Sequence, residues 1–317
     1  MKTRILSHGS VSPAGIGLTG CTTPWSESRS QAVSLIGKDS HVFSRWGKEP
    51  RIRRASPLSY YLMEAAEQAL AAIPNLDRKR VGLVTAFFLG NMVYTVKFYR
   101  QITEEGRRFG SPILFPETVF NSPASHVAAT LGLGGPIYSQ IGDKSSWVNA
   151  LRTAECWLKI GSADHVLVMG AEEFDSHVID ALRASRLLTK NIPISEGAGA
   201  ILLGKTGDGP ALSAISDGHS FTSRKNARFV AREGLADFYS DYPVISTATG
   251  WDRPVQEFAA TGREVLSDDS MPCEAFTASA AWDTIRAMGM LQTHGLKGIV
   301  IPHWGLAQQT GFVCLEK

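Results

Sequence analysis

Ile137-Tyr138-Ser139-Gln140-Ile141-Gly142-Asp143-Lys144-Ser145-Ser146-Trp147 is the stretch whose reading decides the fold. Ile137 to Ile141 is a brief apolar strand, Gly142-Asp143-Lys144 is a sharp turn, and a long helix begins directly after it. Trp147, Leu151, Ala154 and Leu158 recur at helical spacing, so that helix is amphipathic, and Gly161 stops it. Upstream lies a loop with Phe115, Pro116, Asn121 and Pro123, then a short helix ending at Gly132-Leu133-Gly134-Gly135-Pro136. Downstream, His165-Val166-Leu167-Val168-Met169 is a buried strand that ends in Gly170-Ala171-Glu172-Glu173. A strand turning abruptly into a helix presents the turn residue to the helix's free N–H groups, which is how enzymes expose and activate a nucleophile. Here the exposed position carries a carboxylate, Asp143, in place of a thiol or hydroxyl.

The chain has 317 residues, 44% hydrophobic and 20% charged, which suits one large core or two fused halves. A net charge of +2 and a pI near 8.3 give no global argument for nucleic acid or membrane binding. No apolar run reaches the length that spans a bilayer, and the first residues lack a signal-peptide core, so a cytoplasmic location is expected. Cys21, Cys156, Cys273 and Cys314 are scattered, with no C-x-x-C pair. Neither a metal, a disulfide framework nor a cofactor is therefore expected.

A basic cluster, Arg45, Lys48, Arg51, Arg53 and Arg54, precedes the helix Pro57 to Ala72. Such a cluster is a solvated surface or a docking site for an acidic partner. Ser56 and Pro57 suit the N-cap and first position of that helix. Val81 to Ala86 is a buried strand, and Phe87, Phe88, Tyr94, Phe98 and Tyr99 crowd the helix after it, as core, pocket or subunit interface. In the second part, a helix over Thr284 to Gln292 stops at His294-Gly295. The apolar strand Gly298-Ile299-Val300-Ile301-Pro302 then runs to His303-Trp304-Gly305. Helix, glycine stop, strand and glycine turn repeat the order of 147–170, which predicts two duplicated α/β halves, 1–205 and 206–317.

These residues together resemble a β-ketoacyl synthase of the thiolase-like fold. The matching pieces are Phe115-Pro116 with Asn121 and Ala124, Gly132 to Pro136, the elbow with Ser145-Ser146, Gly161-Ser162-Ala163-Asp164, Gly170-Ala171-Glu172 and Glu196-Gly197-Ala198-Gly199-Ala200. The resemblance implies a layered αβαβα architecture whose C-terminal half is abbreviated. It places the family's nucleophilic cysteine on Asp143, its first histidine near Thr247 or Ala248, and its second near Ala275. A carboxylate at a helix N-terminus is stabilised in its charged form and is a poor acyl acceptor, so Asp143 is expected as a helix N-cap. Lys144 is expected to be solvated, and His303 to lie on a surface or hydrogen-bonded loop.

The resemblance further implies a chain-length factor: a catalytically inactive homologue paired with an active ketosynthase and shaping its acyl or polyene tunnel, as in type II and aryl polyene systems. Phe87, Phe88, Tyr94, Phe115 and Phe120 are the tunnel and interface candidates. Arg45, Lys48, Arg51, Arg53 and Arg54 are the docking candidates for an acyl carrier protein. The alternatives are a divergent acyltransferase or malonyl decarboxylase using Asp143, His303 or Cys273, and a structural homodimer without an acyl ligand.

Overall fold

Val81-Gly82-Leu83-Val84-Thr85-Ala86-Phe87 contains no charge, and the structure buries every one of its residues. Strands covered on both faces read this way. The computed structural model describes residues 2–17, 21, 33–185, 194–236, 238, 241–245, 262–266, 273–305 and 309–317. Its principal strands are β1 (Thr3–Ser12), β2 (Val81–Phe87), β3 (Ile137–Ile141), β4 (His165–Glu172), β5 (Gly197–Gly204), β6 (Ala211–Ile215), β7 (Val244–Ile245), β8 (Val265–Leu266), β9 (Gly298–Trp304) and β10 (Gln309–Glu316). They lie in the order β3-β2-β4-β5-β1-β6-β10-β9-β7-β8.

From either outer edge inward, the sheet shows the third, second, fourth, fifth and first strand of one half. Directions repeat as well. β2 is parallel to β3 and β4, and β7 is parallel to β8 and β9. The last strands, β5 and β10, run antiparallel to both of their neighbours. The two sets join where Thr3 and Arg4 of β1 pair with Leu212 and Ala211 of β6. In the second set, β7 and β8 have only two residues each.

The described helices are α1 (His41–Trp46), α2 (Pro57–Ala71), α3 (Met92–Arg100), α4 (Ser122–Leu131), α5 (Ser146–Ile160), α6 (Ser176–Ala184), α7 (Arg224–Ala236) and α8 (Thr277–Thr293). Alternation along the strands sends Val84, Val168 and Ile201 to a core with α5 and α8. Leu83, Leu167 and Leu202 go to a second core with α2 and α4. α5 and α8, each following the third strand of its half, touch through Trp147 Nε1, which donates to Thr284 Oγ1 at 3.0 Å. Trp147, Leu151, Ala154 and Leu158 are all buried, as their spacing requires. α8 is buried at every residue from Thr277 to Ala287.

Ser56 holds the N-cap position of α2 but makes no capping hydrogen bond to the helix. The Leu58 N–H is taken instead by Glu173 Oε2 at 2.9 Å, a carboxylate from the end of β4. Close approach of β4 and α8 explains Gly170. A Cβ there would lie 2.7 Å from the Thr277 carbonyl carbon, and neither backbone can yield alone. Gly170→Ala is expected to lower stability by about 3 kcal/mol through overpacking, read as a lowered urea midpoint with an unchanged slope.

Candidate functional site

The turn after β3 is closed by one bond from the neighbouring strand and one local bond. Gly142 N donates to Phe87 O at 2.8 Å, and Ser146 N to Asp143 O at 2.8 Å. Asp143 Oδ1 accepts from Ser145 N at 3.1 Å and from Ser145 Oγ at 2.8 Å. The side chain thus forms an Asx turn two residues before Ser145, which is the N-cap of α5. It is buried, and its carboxylate packs on Gly305 just past β9, where a Cβ would lie 2.7 Å from Cγ. A carboxyl group held by two donors and pressed against backbone is fixed in orientation, which suits anchoring rather than attack on a thioester.

Lys144, expected in solvent, is buried. Its Nζ lies 2.7 Å from Asp283 Oδ2, and Asp283 Oδ1 lies 2.9 Å from Arg286 Nη1, with all three side chains almost fully enclosed. α8 supplies both partners at i and i+3, so a core helix carries the charge that draws Lys144 inward. Beside them, Glu274 Oε1 accepts from Phe276 N at 2.6 Å and Ser279 Oγ at 2.7 Å. Burial raises its pKa, and the Lys144 charge opposes that rise.

His303 is likewise no loop residue. It lies in β9, fully buried, and neither ring nitrogen has a hydrogen-bond partner among the described residues. Burial, reinforced by the Lys144 charge, pushes its pKa well below 6.5, so the ring is neutral. Ala275 is fully buried just before α8 and offers no polar group. Next to it, Phe276 has φ +48° and ψ −113°, a conformation L side chains rarely adopt. Thr247 and Ala248 lie outside the described residues. Of the cysteines, Cys156 is exposed on α5, while burial pushes Cys21 and Cys273 up to about 12 and Cys314 up to about 11. A thiol with so high a pKa is a poor nucleophile at neutral pH.

The aromatic candidates separate into different surroundings. Phe87 is fully buried in the core with α2 and α4. Phe88 packs instead on Phe276, with ring centroids 4.6 Å apart, and Phe276 lies 6.2 Å from Phe174. Phe174 and Phe276 escaped sequence reading because each stands singly among small or polar neighbours. Tyr94 is half-buried and donates to Ala55 O at 3.2 Å, while Phe115 and Phe120 are 55% and 40% exposed. Among the basic residues, Arg45 pairs with buried Glu64 at 3.2 Å and stacks on Trp46, and Arg51 donates to Ala129 O at 2.8 Å. Lys48, Arg53 and Arg54 are exposed.

Three buried glutamates pin the loops around the site. Glu172 accepts from Phe88 N, Leu89 N and Thr277 Oγ1, Glu173 from Leu58 N, and Glu196 from Ile36 N, Phe174 N and Tyr61 Oη. Burial outweighs these donors and raises Glu172 and Glu196 to about 7 and Glu173 to about 8. Between their ordinary 4.5 and those values, the folded chain holds protons that the unfolded chain has released. Stability therefore falls as pH rises. Each pKa unit corresponds to about 1.4 kcal/mol, so a loss on the order of 3 kcal/mol or more is expected between pH 5 and pH 8.5. Thermal melts across that range check it, and Glu173→Gln is expected to flatten the dependence.

Two sets of strands in one repeated order, with two core helices whose first turns meet the polar cluster around Asp143, constitute the thiolase-like fold of ketosynthases. Residues 38–208, more than half of the chain, match the family described as "Beta-ketoacyl synthase, N-terminal domain". The chain belongs to the β-ketoacyl synthase family. A 3-oxoacyl-[acyl-carrier-protein] synthase 2 of Rhizobium meliloti (strain 1021) is 28% identical over 133 residues, 40% of this chain and 31% of that enzyme. The match thus spans about a third of that relative's length. Among solved structures, the ishigamide ketosynthase/chain length factor superposes with a TM-score of 0.79 at 17% identity, covering 100% of this chain and 99% of that one. A type II polyketide acyl carrier protein in complex with its ketosynthase gives a TM-score of 0.80 at 14% identity over 99% of both chains. Among the described residues no helix is long and apolar enough to cross a membrane, and no group of three or more His, Cys, Asp and Glu could hold a metal ion.

Proposed function

We propose that this chain is the non-catalytic subunit of a ketosynthase pair, a chain-length factor that completes an active synthase and shapes the tunnel for its growing acyl or polyene chain. The observation that carries the reading is the elbow. The position that the resemblance assigns to the nucleophile holds Asp143, engaged by Ser145 and packed on Gly305, and the adjoining Lys144 is tied to Asp283. Acyl condensation needs a thiolate that a neighbouring base can activate. The cysteines here are either exposed on a helix or held protonated by burial.

Association is supported by the sheet edge. β3 ends the sheet and exposes Ile137, Tyr138 and Ile141 at 43%, 51% and 49%. An uncharged edge strand with three large apolar side chains in water invites pairing by another strand. Exposed Phe115, Val119 and Phe120 add apolar surface on the loop preceding α4. The partner is a cysteine-bearing homologue, and an acyl carrier protein delivers the chain.

Co-expression with a cysteine-bearing ketosynthase, followed by size exclusion and intact mass, tests the reading. The expected result is a one-to-one complex in which only the partner acquires an acyl group. Turnover or a covalent acyl adduct on the isolated chain would establish an enzyme instead. A stable homodimer indifferent to the synthase would make it a structural protein.

A further inference from the structure

β2, β3 and β4 are parallel, so the segments leaving their carboxyl ends share one end of the sheet with the elbow. Open α/β sheets bind their ligands outside that end. Here it carries an apolar cluster of its own, apart from the two cores already described. Val93 of α3, Val178 and Leu182 of α6, and three rings belong to it: Phe88 after β2, Phe174 after β4 and Phe276 before α8. Phe276 packs on both of the others, with ring centroids 4.6 Å and 6.2 Å away. Phe88 directly follows Phe87, whose carbonyl takes the Gly142 N–H of the elbow. Each of the three ring-bearing residues has its own N–H held by a buried glutamate. Phe88 N donates to Glu172 at 2.7 Å, Phe174 N to Glu196 at 3.1 Å, and Phe276 N to Glu274 at 2.6 Å. Glu172 also accepts from Thr277 Oγ1, so one carboxylate fastens the Phe88 segment to the first residue of α8. Phe276 itself is held at φ +48°. Filling a core asks for neither a strained backbone nor three buried carboxylates, and strain enforced by the surroundings points to a position with a task.

We propose that Phe88, Phe174 and Phe276 are a plug that closes this subunit's own acyl-binding space, with Phe276 as the wedge, so that an acyl tail brought to the pair is taken up by the partner alone. This rests on the chain-length-factor reading. Loss of the nucleophile by itself stops condensation but leaves an apolar space in which a long acyl tail still lodges. Rings that fill the space withhold the apolar burial that would drive such a tail in. The pinned N–H groups keep the three segments from drawing apart, because each separation would leave a buried donor and a buried carboxylate unmatched.

The test is titration of the isolated protein with cis-parinaric acid, a fluorescent long-chain fatty acid. The unaltered protein is expected to show no saturable binding. Phe276→Gly removes the wedge and accepts the positive φ without strain, and it is expected to bind the probe at least about tenfold more tightly. Phe88→Ala opens the same space from the other side with the same expected gain, and it carries the test where Phe276→Gly does not fold. Phe43→Ala removes a ring of α1 that packs on Tyr60 and Tyr61, outside this cluster, and is expected to bind no better than the unaltered protein. Saturable binding by the unaltered protein as tight as that of the variants would overturn the inference. So would folded Phe276→Gly and Phe88→Ala proteins that gain nothing, or an equal gain in Phe43→Ala. Failure of the two subunits to pair would count against the chain-length-factor reading, while the titration, made on one subunit, would still decide the plug.

Discussion

Asp283→Ala is expected to lower the stability of the fold by about 3–5 kcal/mol, the usual consequence of removing one member of a buried ion pair. The side chain is fully enclosed and bridges Lys144 Nζ at 2.7 Å and Arg286 Nη1 at 2.9 Å. Its loss removes the carboxylate that links two cations in the core, which leaves each with less counter-charge where water is scarce. The cost should appear as a lowered urea midpoint and melting temperature at neutral pH. A triple replacement, Lys144→Met with Asp283→Leu and Arg286→Met, is expected to recover most of the loss, because an apolar set of similar volume avoids the desolvation that the ionic set carries. The pair of experiments separates a cavity from an uncompensated charge. If Asp283→Ala cost less than about 1 kcal/mol, the bridge would be no stronger than an exposed surface pair.

This ionic group also marks where sequence reading stopped. The elbow was legible because everything that defines it is local: an apolar strand, Gly142, and a helical stripe from Trp147 to Leu158 with Gly161 as its stop. The doubled architecture was legible for the same reason, since helix, glycine and strand recur in order before β4 and before β9. Lys144 was not, because its partner Asp283 stands on α8, more than a hundred residues away, in a helix whose core residues other than Asp283 and Arg286 are small or apolar. His303 was misjudged because the apolar run ends at Pro302, whereas the ladder with β10 continues through His303 and Trp304 to Thr310. Within the basic run, Arg45 and Arg51 each gain a partner from another element, Glu64 and the Ala129 carbonyl, while staying exposed, and local spacing does not show this. Local periodicity reports the element a residue belongs to. It does not report what approaches that element from elsewhere.

Under the proposed pairing, Asp143→Cys, made in the co-expressed complex, is expected to give neither an acyl adduct on this chain nor turnover from it. Restoring a thiol supplies one of the groups that acyl transfer requires. The new side chain would still face Gly305, in a space that now holds a carboxylate bonded to Ser145. Beside it, Lys144 is tied to Asp283, Ala275 carries only a methyl group, and His303 is buried and neutral inside β9. General acid–base assistance is worth about 10²- to 10⁴-fold, and a thiol without it should fall to background rates. Intact mass after exposure to acyl carrier protein is the direct measurement, with the partner's own cysteine changed to alanine so that only this site can report. Stoichiometric acylation would mean that the loss of the nucleophile was the only defect, and the chain would then be an enzyme silenced at a single atom group. An unmodified chain, folded and still bound to its partner, would mean that the charges gathered behind Asp143 have replaced the reaction chamber with a piece of core.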